Sequence, residues 1–145
     1  MSNRQPEQMA ELTIKALQLS GRRGVMLTGW HGLNQATVPA HVFKIDSVPH
    51  DWLFPHMAAL VHHGGSSTTG AAFRAGIPQI VVPFSFEQLF WGERTESLGV
   101  GTKPIRCKQL TADMLAIAIG QAVAVIEQWL PQIPSALSLL VEVQQ

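Results

Sequence analysis

The chain has 145 residues, of which 46% are hydrophobic and 14% are charged, and its formal net charge at pH 7 is zero. This length is enough for one domain with a real core but hardly for two. A neutral chain has neither the basic surface of a nucleic-acid-binding protein nor an acidic tail, so we expect no nucleic-acid partner. Because ~25% of residues in a typical soluble domain are charged, the low charge content predicts a small solvated surface or a surface covered by a partner.

The cysteine content and the absence of long apolar runs indicate in which cellular compartment the chain is expected. Cys107 is the single cysteine, which excludes an internal disulfide and fits a reducing environment. The polar stretch at residues 1–10 lacks the apolar core of a signal peptide. No run reaches the ~18 apolar residues that a membrane span needs. The sequence therefore predicts a cytoplasmic chain without a transmembrane segment.

Apolar periodicity and turn-forming residues predict helices that alternate with strands. Pro6 suits the first turn of a helix, and the β-branched run between Pro78 and Pro83 is typical of a buried strand. In chain order, the pattern predicts a helix at 5–20, strands at 24–28 and 41–45, a loop or single helical turn at 48–55, a strand at 57–61, a helix at 67–75, a strand at 78–83, a helix at 87–98, a weaker strand at 99–103 and a helix from 111 through 123. From Glu127 the pattern loosens, and the last dozen residues receive no assignment.

This alternation predicts an α/β fold, a Rossmann-like parallel sheet with right-handed crossovers. Ligands of such sheets bind beyond the carboxyl ends of the strands. Those ends are expected at residues 28–30, 45–46, 62–69, 83–88 and 102–103. Most of them are rich in side chains that can hold a ligand.

The run 62–69, His-His-Gly-Gly-Ser-Ser-Thr-Thr, is the most informative of these strand ends. Its glycines allow a tight turn and a close approach of the backbone to a ligand. The serines and threonines favour a hydroxyl cap at the start of the helix predicted at 67–75. Free amides and the helix dipole make such a helix start a natural phosphate site, so the run predicts a phosphate-binding turn. The alternative is a capped helix start of the kind found in any α/β domain.

Spacing argues against other kinds of site. The run 64–68 lacks the glycine two residues after the serine that a hydrolase nucleophile elbow needs. The glycines at 99–101 lack the third glycine of a dinucleotide fingerprint. His62 and His63 are neighbours on a strand, so their side chains point to opposite faces and are unsuited to one metal ion. No metal and no other cofactor is expected.

Four blocks of sequence carry a more specific signal. They are residues 48–55, residues 62–69, residues 74–78, and a last block made of 82–84, 87–88 and 90–94. In this order they resemble the donor-sugar signature of UDP-glycosyltransferases, and most closely that of the sterol-type and macrolide-type branch in bacteria and fungi. The resemblance covers roughly residues 1–123.

Members of that family have the GT-B fold, in which two Rossmann-like domains face a cleft. The resemblance covers only the C-terminal domain, which holds the nucleotide sugar, and implies that the acceptor domain with its catalytic base is missing. It also implies that the first, central strand of the sheet is missing. Residues 1–124 are therefore interpreted as an incomplete donor-binding domain and residues 125–145 as an uncertain tail, with no catalytic residue in this chain.

The same resemblance implies roles for the residues at matching positions. The expected donor-binding residues are His62 at the phosphate, Gly64, Gly65, Ser66, Ser67 and Thr68 around the diphosphate, Val48 and His50 beside the uracil, Trp30 near the nucleotide, and Glu87 and Gln88 on the sugar hydroxyls. The alternative for His62 is a core histidine whose hydrogen bond goes to a backbone carbonyl. The alternative for Glu87 and Gln88 is a solvated helix N-terminus that the helix dipole favours.

Particular positions depart from the family pattern. Ser67 replaces the usual glycine or alanine of the phosphate turn, and Glu87 replaces the usual aspartate. Phe86 brings a bulky ring to a position beside the sugar where a small or polar residue is common. These departures affect sugar binding more than phosphate binding.

The resemblance implies the donor half of an inverting hexosyltransferase, with a UDP-sugar as donor and a hydroxyl of a lipid, sterol or natural product as acceptor. Such a half is expected to be inactive without an N-terminal acceptor domain. That domain on another chain, or a second copy of this chain, is the expected protein partner. The alternatives are a non-catalytic nucleotide-sugar-binding module and a truncated remnant.

Overall fold

The computed structural model describes residues 6–27, 38–129 and 138–142. The helices are α1 (Pro6–Ser20), α2 (His50–Leu53), α3 (Ser66–Ala75), α4 (Phe86–Ser97) and α5 (Ala112–Trp129). The strands are β1 (Gly24–Leu27), β2 (Val42–Ile45), β3 (Met57–His62), β4 (Gln79–Val81) and β5 (Ser138–Glu142), with single 3₁₀ turns at Phe54–His56 and Cys107–Gln109. Helices and strands alternate as the sequence predicts.

The strands form one five-stranded sheet in the order β2-β1-β5-β3-β4. Every pairing in this sheet is parallel. Parallel pairing requires crossover connections, and described helices lie in the chain between β2 and β3, between β3 and β4, and between β4 and β5. The predicted α/β fold with a Rossmann-like parallel sheet is confirmed.

Helices cover both faces of the sheet. On one face α1 and α5 pack together, burying Leu17 and Ile119 in a cluster that includes Val61 of β3. On the other face Phe54, which follows α2, packs in a cluster with Leu60 of β3. Neighbouring side chains of a strand point to opposite faces, so β3 contributes to both clusters and is buried along its whole length.

The centre of the sheet is occupied by β5, which comes from the region that the sequence left unassigned. Backbone pairing aligns Leu140 with Val25 of β1 on one side and with Leu60 of β3 on the other. The described sheet therefore has a central strand that comes from residues 138–142, and the absence of the family's first strand stays a prediction. Helix α5 also continues to Trp129, beyond the limit of the predicted helix. Both elements are rich in apolar residues, and Val141 of β5 is buried in the same cluster as Ile119 of α5. Local sequence pattern does not reveal this packing.

The weaker strand predicted at 99–103 is wrong. Within the described residues of this segment, Gly101 forms an isolated β-bridge with Gln79 of β4. A Cβ at Gly101 would lie 2.5 Å from the hydroxyl oxygen of Thr95, so the segment lies against α4. The segment 48–55 forms the single short helix α2, one of the two predicted possibilities. In the part of the chain that is described, no helix combines the length and the apolar character needed to cross a membrane.

Candidate functional site

The turn between β3 and α3 depends on a glycine with a left-handed backbone. Gly64 has φ +98°, a conformation that residues with a side chain rarely adopt. A Cβ at this position would lie 2.6 Å from the backbone oxygen of Gln88 and 2.8 Å from a methyl carbon of Val81. The turn therefore packs directly against the start of α4, and this close approach requires glycine.

Helix α3 begins without a side-chain cap. Its N-cap is Gly65, with φ −62° and ψ 142°, and the first bond of the helix runs from the amide of Thr69 to the Gly65 oxygen at 2.9 Å. The hydroxyl cap predicted from the serines and threonines is therefore wrong, because the chain enters the helix one residue earlier than expected.

The amides of Ser66, Ser67 and Thr68 precede the first hydrogen bond of α3. The first amides of a helix have no partner within it, and here no cap side chain accepts from them. Ser66 and Ser67 are exposed. A glycine-capped, exposed helix start with free amides is suited to an anion, because the helix dipole adds a partial positive charge.

His62 is buried behind this turn, with 2% of its surface exposed. Its Nε2 lies 2.7 Å from Oε1 of Gln79, and the amide of Gly64 donates to its Nδ1 at 3.0 Å. Because Nδ1 accepts, Nε2 carries the hydrogen and donates to Gln79. Burial lowers the pKa of His62 to about 4, so the ring is neutral at pH 7. Both ring nitrogens hold the turn, which matches the core-histidine alternative.

The predicted sugar-binding pair lies at the start of α4, next to the glycine turn. Ser85 caps this helix by accepting from the amide of Gln88 at 3.3 Å. Oε1 of Gln88 accepts from the amide of Phe84 at 2.7 Å, and Glu87 is exposed. The fold thus brings together residues 64–68 and residues 87–88, which are separated along the chain by a helix and a strand.

The residues predicted beside the uracil lie near the same edge. Val48 is partly buried against the cluster that contains Phe54. His50 begins α2, and its ring stacks on Phe54 with centroids 4.5 Å apart. Helix α2, which His50 begins, contacts α3. Trp30 lies outside the described residues.

Sequence reasoning did not foresee roles for Gln79, His63 and Phe84. Gln79 is fully buried in β4. The one sign of its role in the sequence was a side-chain amide next to a run of β-branched residues. His63 is 7% exposed, and its ring packs against that of Phe84 with centroids 4.8 Å apart. Burial lowers the pKa of His63 to about 4, so this ring too is neutral at pH 7. Within residues 6–27, 38–129 and 138–142, no three His, Cys, Asp or Glu side chains cluster as metal ligands.

The sequence profile of the erythromycin biosynthesis protein CIII-like C-terminal domain matches residues 24–127. This range contains the glycine turn, both histidines and the start of α4. The chain belongs to this family. The resemblance to the C-terminal domain of UDP-glycosyltransferases is thereby confirmed.

Curated relatives of this chain include sterol 3-beta-glucosyltransferases. One from Arabidopsis thaliana is 44% identical over 117 residues, covering 80% of this chain and 18% of the relative. One from Cryptococcus neoformans is 40% identical over 131 residues, covering 81% of this chain and 8% of the relative. The chain therefore spans less than a fifth of the length of these relatives.

Solved structures of glycosyltransferases share the fold. The glycosyltransferase of kitacinnamycin superposes with a TM-score of 0.74 at 20% identity, covering 90% of this chain and 35% of that one. The glycosyltransferase VinC, solved in complex with dTDP, superposes with a TM-score of 0.65 at 25% identity, covering 87% of this chain and 34% of that one. The fold is that of a GT-B C-terminal domain.

Proposed function

We propose that this domain binds the UDP-sugar donor of an inverting hexosyltransferase. The acceptor is the hydroxyl of a lipid, sterol or natural product, in keeping with the sterol 3-beta-glucosyltransferases among its relatives. The acceptor site and the catalytic base belong to an N-terminal acceptor domain. Without that domain the chain binds the donor and does not transfer the sugar.

The observation that carries the proposal is the exposed start of α3. The amides of Ser66, Ser67 and Thr68 lie ahead of the first helical hydrogen bond, and Gly65 leaves them uncovered. A diphosphate is a dianionic group that several convergent amides bind through charge-assisted hydrogen bonds. The dTDP complex of VinC adds support, since that neighbour binds a nucleoside diphosphate.

Around this anion site, His62 has a positioning role. Its Nδ1 accepts from the amide of Gly64 while Gln79 holds its Nε2, which keeps the glycine turn in its left-handed conformation. Glu87 and the side-chain NH₂ group of Gln88 orient the sugar. Val48, His50 and Trp30 bind the nucleoside. The amides and the partial positive charge of the helix dipole stabilise the diphosphate, and no metal is assigned to the site.

The chemistry of transfer defines what this domain contributes. An acceptor hydroxyl, deprotonated by the partner domain, attacks the anomeric carbon with inversion, and the bond between that carbon and UDP breaks. Negative charge grows on the diphosphate as it leaves. Preorganised amides stabilise that charge, and Glu87 with Gln88 fix the orientation of the sugar.

A thermal melt with UDP tests the proposal on a matched pair of variants. Ser66→Pro removes the amide donor but suits the first position of α3, because Gly65 already has the extended backbone that precedes a proline. Ser66→Ala removes the hydroxyl and keeps the amide. His62→Ala is a poorer test, since it removes two buried hydrogen bonds of the fold.

Millimolar UDP is expected to stabilise the unaltered chain by about 2.7 kcal/mol if its concentration reaches ~100 times the dissociation constant. Ser66→Ala should retain this shift. Ser66→Pro should weaken UDP binding about tenfold or more, because a hydrogen bond to a charged group is lost. The proposal fails if neither UDP nor dTDP shifts the melt of the unaltered chain, or if the two variants behave alike.

A further inference from the structure

We propose that Phe86 and Phe90 of α4 contact the acceptor and hold its apolar body beside the donor sugar. The inference rests on the proposed function, in which the reacting hydroxyl belongs to a lipid, sterol or natural product. It adds a contact from this domain to the acceptor site of the N-terminal domain. The two rings then favour acceptors that have a large apolar body.

The starting observation is a pair of exposed aromatic rings at the start of α4. Phe86 is 86% exposed and Phe90 is 57% exposed. They are four residues apart on the helix, so they lie on the same face, one turn apart. Helical side chains lean toward the N-terminus of their helix, which directs the Phe90 ring toward Phe86. The two rings form one apolar surface, called here the α4 strip.

The α4 strip is uncharged and has polar residues around it. From residue 83 to residue 92, Glu87 is the one charged residue, and Glu93 and Arg94 follow directly. An exposed apolar surface with a polar rim is typical of a surface that binds another molecule. Because the strip itself has no charge, it complements an uncharged, apolar ligand and not an anion such as UDP.

The α4 strip begins next to the residues that are proposed to hold the sugar. Phe86 directly precedes Glu87, and Ser85 caps the same helix by accepting from the amide of Gln88 at 3.3 Å. Gln88 packs on the glycine turn, because a Cβ at Gly64 would lie 2.6 Å from the Gln88 backbone oxygen. Both rings are two residues from Gln88, and such residues do not share a face of a helix. The strip is therefore turned away from the glycine turn.

Inversion requires the acceptor on this side of the sugar. The acceptor hydroxyl attacks the anomeric carbon from the side opposite to the departing diphosphate. The diphosphate is proposed to bind at the start of α3, so the hydroxyl approaches from the side away from α3. The body of the acceptor is joined to this hydroxyl, and the α4 strip offers it apolar surface beside the sugar.

The contacts of Phe90 prepare the strip for a flat ligand. Its ring meets that of the partly buried Trp91 edge to face, with centroids 5.1 Å apart and an interplanar angle of 78°. A ring that is held in place before the ligand arrives lowers the ordering cost of binding. Removal of exposed apolar surface from water is favourable in proportion to the area covered, and a fused ring system can cover both phenylalanines at once.

Energy transfer from tryptophan to dehydroergosterol, a fluorescent sterol, measures the contact on the full chain. Trp91 adjoins the strip and is the intended energy donor, and Trp91→Phe identifies its share of the transfer. The sterol is supplied from cyclodextrin, at a protein concentration where light scattering detects no association between copies.

Matched variants separate apolar contact from general hydrophobicity. Joint substitution Phe86→Ser and Phe90→Ser removes the apolar surface, whereas joint substitution Phe86→Leu and Phe90→Leu keeps it. Leu19→Ser removes a 52% exposed apolar side chain from α1, away from the strip. Thermal melts without ligand establish that each variant folds.

The unaltered chain is expected to show saturable energy transfer that Trp91→Phe strongly reduces. The serine pair should weaken sterol binding about tenfold or more, because the apolar area that the sterol covers is lost. The leucine pair and Leu19→Ser should stay within about threefold of the unaltered chain. The inference is overturned if there is no saturable transfer, if the serine pair binds the sterol like the unaltered chain, or if Leu19→Ser weakens binding as much.

Melts with UDP on the same variants distinguish this inference from the proposed function. If UDP stabilises the unaltered chain and the sterol does not bind, the inference fails and the proposed function stands. If UDP gives no shift, the proposed function fails, and the strip loses its role as an acceptor contact even if the sterol binds. A serine pair that prevents association between copies but leaves sterol binding intact would assign the strip to self-association and overturn the inference.

Discussion

The adjacent histidines at the end of β3 differ in what surrounds them. His62 points toward Gln79 and has both ring nitrogens paired, whereas His63 points toward Phe84 and leaves Nε2 unpaired. Because successive side chains of a strand alternate in direction, one histidine supports the glycine turn from behind while the other reaches the edge near α4. Identical side chains therefore take different roles from their position in the strand.

The pH dependence of stability follows from these two rings. Burial lowers the pKa of each from 6.5 to about 4, so between these values the unfolded chain binds more protons than the folded one. The free energy of unfolding should therefore be constant with respect to these groups above pH 6.5 and fall as the pH drops toward 4. Each histidine contributes up to about 1.4 kcal/mol per pH unit in this window. Denaturant titrations across the window measure the slope.

His63→Gln is the control for this prediction, because it removes one titrating ring and leaves His62 in place. It should lower the histidine contribution to the slope by about half. A slope that is unchanged in this variant would contradict the assignment of His63 as a buried neutral ring.

At the scale of secondary structure, α3 shows how a helix start becomes a binding surface. The sequence predicts a hydroxyl cap, but the left-handed Gly64 turns the chain so that Gly65 becomes the N-cap. A hydroxyl at that position would accept from one of the first amides. Glycine leaves these amides to solvent and to a ligand, so the same residue that weakens the cap opens the anion site.

The central position of β5 predicts a strong dependence of the fold on Val141. This residue is 3% exposed in a strand paired on both sides. Val141→Asp places a carboxylate in the core and should lower the free energy of unfolding by about 3–5 kcal/mol. Denaturant unfolding measures the change.

Phe43→Asp is the matched control on the edge strand β2, where the side chain is 64% exposed. Its cost should be about 1 kcal/mol or less. Equal and small effects of the two substitutions would show that β5 does not occupy the centre of the sheet in solution.

At the scale of the whole molecule, low charge combines with exposed aromatic surface. The net charge is zero and the calculated isoelectric point is about 7.0. Phe86 and Phe90 lie one helical turn apart on α4 and are 86% and 57% exposed. Neutral proteins with exposed apolar patches associate most readily near their isoelectric point.

Joint substitution Phe86→Ser and Phe90→Ser should raise the solubility of the chain at pH 7 and change the free energy of unfolding by about 0.5 kcal/mol or less. Light scattering across a concentration series measures the association. Leu19→Ser is the control, since Leu19 is a 52% exposed residue of α1, away from α4, and should change solubility little. An equal gain from Leu19→Ser would assign the effect to general hydrophobicity instead of the α4 surface.

Local sequence was sufficient for most helices and strands and for the turn after β3. Gly21 and Gly76 directly follow α1 and α3, and the β-branched residues of β4 favour a buried strand in any α/β domain. The proposed donor site could likewise be predicted from a contiguous run, because the amides of a helix start follow the turn directly in the chain.

Tertiary structure decided the features that depend on partners far along the chain. His62 is paired because Gln79 lies on the neighbouring strand, and His63 is covered because Phe84 follows that strand. Strand β5 lies between β1 and β3, more than seventy residues away in sequence from either. Periodicity and turn propensity are properties of adjacent residues, whereas which surfaces are buried together is set by competition among all of them.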